Sequence, residues 1–535
     1  MALHKLSQVE RETYCQLAGR EQILQAEIKS LELELVDVRL KLAILHNKTT
    51  PPFIASPEIL TMIFELAHAS AYEDGYTRPR IPVEVAVAGV CENWRRIALS
   101  ISSLWTVFRC LQSTRKNLLF EHERLLTYLE RSGGRALELF LEFRGMQHPT
   151  SASNNHSQAK QILHTALDQS FRWRRFVVVS DGSLGPLEQN LRSPLHTKSV
   201  PKLEYLDIRT SSYHKRFGEL PNWGPANWNN QMFSGQRPPL QYLRLNQSAL
   251  LAGFQPRLEN LVHLVFEHGP ETDDDIPPLS FSSFIDIIRL PSLETVSLWG
   301  RSVEENASIP AGEVEAKELK HFRFGKSLDM SPLNFLVHRV VAPKLETLTI
   351  QCSWFGLMDT WPVVDIELSD NSFPSLRSLH LLDVAINSMN EPDPTFRRLV
   401  ERTRQAKELT VSLNPEVRLA HLLEFMRRRS PDNSTQYLFR ICPEAEVITL
   451  RVPSQFPFPY ELFRSDSWPQ LSRLLLPPRS AQYQWPAPEL LPARITLEEA
   501  KHIGIASWPP GYKWATGDRK DDSFLEHLHK TAANS

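Results

Sequence analysis

The sequence predicts an α/β chain in three parts: a long N-terminal helix, a small all-α unit, and a solenoid of alternating strands and helices. Three observations carry this expectation. Apolar residues recur every seven positions between Leu17 and Leu45. A compact apolar segment follows the Thr-Thr-Pro-Pro break at 49–52. A short phrase (apolar, two variable, apolar, one variable, apolar) then starts twelve times between Ala136 and Leu471. At 535 residues the chain is too long for one hydrophobic core, so several units or an extended array are expected. The three parts are expected at 1–48, 49–110 and 111–480, followed by a C-terminal tail at 481–535.

In the first segment Leu17, Leu24, Leu31, Val38 and Leu45 lie seven apart. Ile28, Leu35 and Leu42 fill positions four later, with Glu, Lys, Gln and Arg on the other faces. That is a coiled-coil seam, unbroken by proline. Residues 17–45 either pack on the rest of the chain or pair with a second helix, from another copy or another partner. A seam of about four heptads is marginal alone, because short helices draw most of their stability from packing.

In the second segment Ser56 suits an N-cap, Pro57 the first turn and Glu58 the positive helix end. Ile59, Leu60, Ile63, Phe64 and Leu66 then form a broad apolar stripe. The next phrase, Val87–Ala98, places Val87, Val90, Cys91, Trp94 and Ala98 on one helical face. A third, Ser100–Phe108, adds Leu104 and Trp105. In order, these three phrases resemble the F-box, as found in the fungal F-box-like family. The resemblance covers about 60 residues. Ser56 replaces the first leucine of the family's Leu-Pro pair, and the interval His68–Pro82 is longer than in compact members. The resemblance implies a three-helix unit that docks on the Skp-family adaptor of SCF ubiquitin ligases, and through it on a cullin. Carried over residue by residue, the docking surface involves Pro57, Ile59, Leu60, Ile63, Val90, Cys91, Trp94 and Trp105.

The repeated phrase starts at Ala136, Trp173, Leu203, Leu240, Leu261, Leu293, Leu319, Leu345, Leu376, Ala406, Ala445 and Leu471. Pro201, Pro238, Pro291, Pro343 and Pro374 each stand two residues before a first leucine, as suits a turn entering a strand. The phrase ends in period-two alternation, the mark of a strand with one buried face. Helix-like text at Phe281–Leu290, Leu333–Val340 and Leu419–Arg428 lies between phrases. One strand and one helix every ~30 residues is a solenoid signature. It resembles irregular leucine-rich repeats, although the later Asn or Cys slot of that repeat is missing.

In such a stack the variable slots line the exposed sheet face. Tyr205, Asp207, Tyr242, Arg244, His321, Arg323 and His380 are expected there, as the surface for a protein target. The insertion Tyr213–Pro239 carries Trp223, Trp228 and Phe233, which either anchor a partner or tuck over the repeat edge. Asp273–Asp275 reads as a solvated acidic turn, lacking the spacing of a calcium loop. A short helix is expected at Leu497–His502.

Composition narrows the function. A net charge of −2 gives no footprint for nucleic acid or a membrane surface. Cys15, Cys91, Cys110, Cys352 and Cys442 form no CxxC pair, which argues against a zinc site or disulfide framework and fits a reducing compartment. No run approaches the ~18 apolar residues of a membrane helix, and the N-terminus lacks a signal pattern. GxSxG, P-loop, GxGxxG and HExxH motifs are absent, so no enzyme, cofactor or metal is expected. The resulting expectation is a cytoplasmic or nuclear adaptor of an SCF-type ligase. The alternative is a coiled-coil and repeat scaffold with no link to ubiquitin.

Overall fold

A computed structural model describes residues 7–47, 55–73, 81–111, 118–143, 152–180, 195–210, 228, 232–233, 237–251, 254–267, 278–304, 312–325, 331–351, 354–355, 372–383, 385–386, 394–412, 441–451, 463, 468–477, 489, 491–500, 508–510 and 512. It is mixed α/β and divides into two compact units. The first comprises Met1–His68 and Ile81–Ile101, the second Ala69–Arg80 and Ser102–Ser535.

The first unit holds α1 (Gln8–Asn47), most of α2 (Pro57–Glu73), α3 (Val83–Val90) and α4 (Glu92–Ser100). Helix α1 runs unbroken for 40 residues. All eight residues of its seam are exposed, between 42% and 65%. Helix α2 starts as its sequence suggests. The Leu60 N–H bonds to Ser56 O at 3.0 Å, and the Ile59 N–H reaches Ser56 Oγ at 3.5 Å. Leu60 and Phe64 face inward, and Phe64 meets Trp94 of α4 at 4.9 Å between ring centres.

The phrase Val87–Ala98 is not one helix. Cys91 is extended, with φ −157° and ψ 171°, and separates α3 from α4. Its sulfur accepts the Trp94 N–H at 3.5 Å, which caps α4. Of the five residues expected on one face, Val87 and Val90 thus lie in α3, Trp94 and Ala98 in α4, and Cys91 between the two helices. Sequence reasoning also missed a buried polar pair, His68 and Glu84, at 4.0 Å.

Among the described residues, the second unit is built on one parallel sheet of 14 strands. In chain order they are β1 (Val107–Leu111), β2 (Leu137–Phe143), β3 (Trp173–Ser180), β4 (Tyr205–Thr210) and β5 (Tyr242–Asn246). Then come β6 (His263–Glu267), β7 (Thr295–Trp299), β8 (His321–Gly325), β9 (Thr347–Gln351) and β10 (Ser378–Leu382). The last are β11 (Glu408–Ser412), β12 (Val447–Arg451), β13 (Arg473–Leu476) and β14 (Thr496–Glu499). Each strand pairs with the one before it in this order. Helices α5 (Leu118–Arg131), α6 (Ala152–Asp168), α7 (Gln247–Leu251), α8 (Phe281–Ile288), α9 (Ser331–Arg339) and α10 (Pro394–Arg402) lie between strands. Parallel neighbours need a crossover connection, helical or not, since a tight hairpin would reverse the chain.

All twelve expected phrases form strands β2 to β13. Their apolar slots make the core. Leu203, Leu206 and Ile208 are buried, as are Leu240, Leu243 and Leu245, and Leu345, Leu348 and Ile350. The entering turn has a clear physical form. The N–H groups of Leu203, Leu293, Leu345 and Leu376 bond back to Val200, Leu290, Ala342 and Phe373, three residues earlier. Pro201, Pro291, Pro343 and Pro374 then occupy the second turn position, where the fixed φ of proline fits. The same turn precedes Ala445 and Leu471, with Pro443 and Pro469 in that position.

Two strands went unread. At β1, Trp105 just before the strand and Phe108 and Cys110 within it occupy the three apolar slots and are buried. Phe108 and Cys110 pair in register with Leu139 and Leu141. The phrase assigned to the F-box ending therefore opens the sheet. In β14, Leu497 aligns with Leu474 and Glu499 with Leu476. The expected helix at Leu497–His502 is thus a strand through Glu499, with residues 501–502 outside the described set. The expected helices at Phe281–Leu290 and Leu333–Val340 are α8 and α9. Leu419–Arg428 lies outside the described residues.

Candidate functional site

Two surfaces follow from this framework, one in each unit. In the first, α2 carries apolar residues on two sides. Leu60 and Phe64 serve the core, while Ile59, Met62, Ile63 and Leu66 point outward, between 48% and 68% exposed. Positions 59, 62, 63 and 66 follow helical spacing, so the four form one stripe. Pro57 is exposed at its start.

The expected docking residues separate accordingly. Pro57, Ile59, Ile63 and Val90 are exposed. Cys91 and Trp94 are half-buried, one capping α4 and the other packed on Phe64. Leu60 is a core residue, contrary to expectation. Trp105 belongs to the second unit, where its ring meets Tyr128 edge-on at 5.2 Å and lies under Arg131 at 4.4 Å. Met62 and Leu66 are the exposed members that the family wording did not single out.

The second surface is the variable face of the sheet. Its residues line up across strands as expected: Tyr205 with Tyr242 and His263, and Asp207 with Arg244 and Val265. Farther along, Arg323 aligns with Thr349 and His380. The expectation of exposure fails. Tyr205, Asp207, Tyr242, Arg244, Arg323 and His380 are buried, and His321 is half-buried. A second core lies on this face, made of Val107, Phe140, Val177, Val179, Tyr205, Tyr242, Val265 and Trp508, with Tyr72 and Tyr512 packed against it.

Rings and cations alternate along it. Arg109 lies over Tyr72 and Phe140, at 4.8 and 4.6 Å. Arg175 lies between Phe140 at 4.7 Å and Tyr205 at 4.0 Å. Tyr205 stacks on Tyr242 at 4.0 Å, nearly parallel. Cation–π pairs strengthen when shielded from water, which is how a sheet face rich in arginine tolerates burial. Ion pairs do the rest. Arg244 meets Glu267 at 2.7 Å, Arg323 approaches Glu267 at 3.9 Å, and Arg209 binds Asp207 at 2.9 Å.

Burial also sets the ionisation of this face. It pushes the Tyr205 hydroxyl well above the ordinary phenol range, with Tyr242 adding to the shift. It lowers His263 to about 3, helped by His321 and Lys320, and lowers His380 to about 4. Burial lowers His321 as well. The face thus carries neutral imidazoles near neutral pH.

The cover comes from a segment that sequence reasoning left without a role. Trp508 lies over Arg323 at 4.3 Å and faces His321 edge-on at 6.4 Å. Tyr512 lies parallel to Tyr242 at 5.9 Å and meets His263 at 4.2 Å. The available signal was Trp508 and Tyr512 in a Pro- and Gly-containing stretch with no period of its own. Large rings without helix or strand spacing are buried on something already folded.

In the insertion, Trp228 donates its indole N–H to Pro256 O at 3.0 Å, and Phe233 is buried, so both tuck against the repeat unit. Trp223 and Asp273–Asp275 lie outside the described residues. Among the described residues, no group of three His, Cys, Asp or Glu side chains could hold a metal. No helix among them is long and apolar enough to cross a membrane. Compared with known proteins, the chain matches no protein-family model and no curated protein.

Proposed function

We propose that this chain is a non-catalytic adaptor of an SCF-type cullin ubiquitin ligase. It docks through α2–α4 on a Skp-family adaptor, and through that on a cullin. It holds a protein target on the repeat unit and needs no cofactor. The observation that carries the reading is the exposed stripe Ile59, Met62, Ile63 and Leu66. A small helical unit that leaves four large apolar side chains in water on one helix face has a partner for that face. The stripe lies within the first of the three phrases that resemble the F-box.

The strict sequence order of the parallel strands, with helices between them, supports a leucine-rich-repeat-like solenoid. Such a fold offers an extended surface to a protein. Two experiments test the reading. The full chain should co-purify with a Skp-type adaptor, and proteins bound to it should accumulate when the cullin is blocked. Absence of the adaptor would leave the second reading, a scaffold. The observation favouring that reading is the exposed seam of α1, which suits pairing with a second copy of the chain.

A further inference from the structure

We propose that the sheet face spanning β5 to β8 is a groove for peptides bearing two aromatic rings four residues apart, and that Trp508 and Tyr512 are its resident occupants in cis. Three observations carry this. First, the rings enter as a ligand's side chains would. Trp508 is almost wholly buried against Arg323 and His321, and Tyr512 sits on Tyr242 and His263. Buried rings stacked on cations and other rings are the usual anchors of a bound segment.

Second, the segment is pre-shaped. The Tyr512 N–H bonds to Pro509 O at 3.3 Å, closing a turn with Pro510 in its second position. Pro509 and Pro510 each have a fixed φ, so the free segment has less entropy to lose on docking.

Third, the sheet has its own core on the opposite face. Leu243, Leu264, Val296 and Phe322 are buried there. Beside Tyr242 and the apolar cluster that Trp508 joins, the two rings cover polar groups: Arg323, His321 and His263, next to the Arg244–Glu267 pair. Such groups hydrate well when uncovered, so the rings can leave while the strands stay paired.

On the proposed adaptor role, which this regulatory corollary rests on, a target segment with the same ring spacing displaces the resident one. A segment tethered in cis competes at an effective concentration of the order of millimolar, so an external peptide binding at ~10 µM faces roughly a hundredfold handicap.

The test uses the full chain, the full-length variant Trp508→Ala/Tyr512→Ala, and a labelled peptide of residues 506–513. Fluorescence anisotropy should show the peptide binding the variant at least about tenfold more tightly than the wild type. A peptide with both rings changed to Ala should bind neither. Equal binding to both chains, or no binding to a folded variant, overturns the proposal. If the double variant does not fold, Tyr512→Ala alone is tested in the same way, and loss of fold there as well makes the rings integral core and overturns it. Adaptor co-purification of the same variant is read separately. Its absence in the wild type as well would sink the adaptor reading and leave the groove standing.

Discussion

Changing Arg244 tests whether the buried face is an ordered polar layer. Arg244 and Glu267 are almost fully buried and meet at 2.7 Å, with Arg323 3.9 Å from the same carboxylate. Arg244→Met leaves Glu267 with the more distant cation. Glu267→Leu leaves two guanidinium groups with their shared anion removed. Breaking a buried pair from one side costs about 3–5 kcal/mol, whereas replacing both partners with apolar groups is often close to neutral. Arg244→Met should therefore fall near the lower figure, because Arg323 compensates in part, and Glu267→Leu near the upper. The double change should cost less than the sum of the two single changes, a coupling of about 2 kcal/mol, with the remainder reflecting Arg323 left without its carboxylate. Urea unfolding followed by tryptophan fluorescence measures each midpoint. Single changes that each cost less than about 1 kcal/mol, with additive effects, would refute a buried and coupled pair.

Other outcomes follow from the same geometry. Gly325→Ala places a Cβ 2.6 Å from a ring carbon of Trp299 and 2.9 Å from Gln351 O, so it should cost about 1–3 kcal/mol. Trp299→Leu in the same chain should recover part of this in a thermal melt. Stability should be full near pH 7 and fall as pH drops below about 6.5, because the unfolded chain then protonates histidines that the fold keeps neutral down to about 3 at His263 and about 4 at His380. His263→Gln with His380→Gln should flatten that fall in melts taken between pH 7 and 4. Leu31→Pro breaks α1 at the middle of its exposed seam and should reduce the mass measured by light scattering. A wild type that is already a monomer would remove self-pairing.

Much of the fold was legible because the repeated phrase carries its own physics. A leucine, a proline-containing turn and period-two alternation specify a buried, parallel strand locally, and all twelve phrases are strands. The two misses have different causes. Trp105, Phe108 and Cys110 fit the phrase, but the same residues also fit the ending of the F-box wording. In β14, Arg494 and Glu499 stand where apolar residues were required. Helical spacing across Val87–Ala98 concealed the break at Cys91, since one extended residue does not alter residue types on either side. The variable face was misjudged for a deeper reason. Whether a slot is exposed depends on what covers it, and Tyr242 is covered by Tyr512, 270 positions away with no period to announce it. The change of Tyr205, Tyr242 and Arg244 together to Ala is consequently a stability perturbation as well as a surface one.

The central claim is that the outward stripe of α2 docks on a Skp-family adaptor. Calorimetric titration of the full-length chain with that adaptor, wild type against Ile59→Asp/Ile63→Asp, tests it most directly. Both residues are exposed, so the fold should survive, as a melt would verify. Two charges placed in a desolvated apolar contact should cost at least about 2 kcal/mol, roughly a thirtyfold loss of affinity. Undiminished affinity in a folded variant, or no binding by the wild type, would contradict the claim.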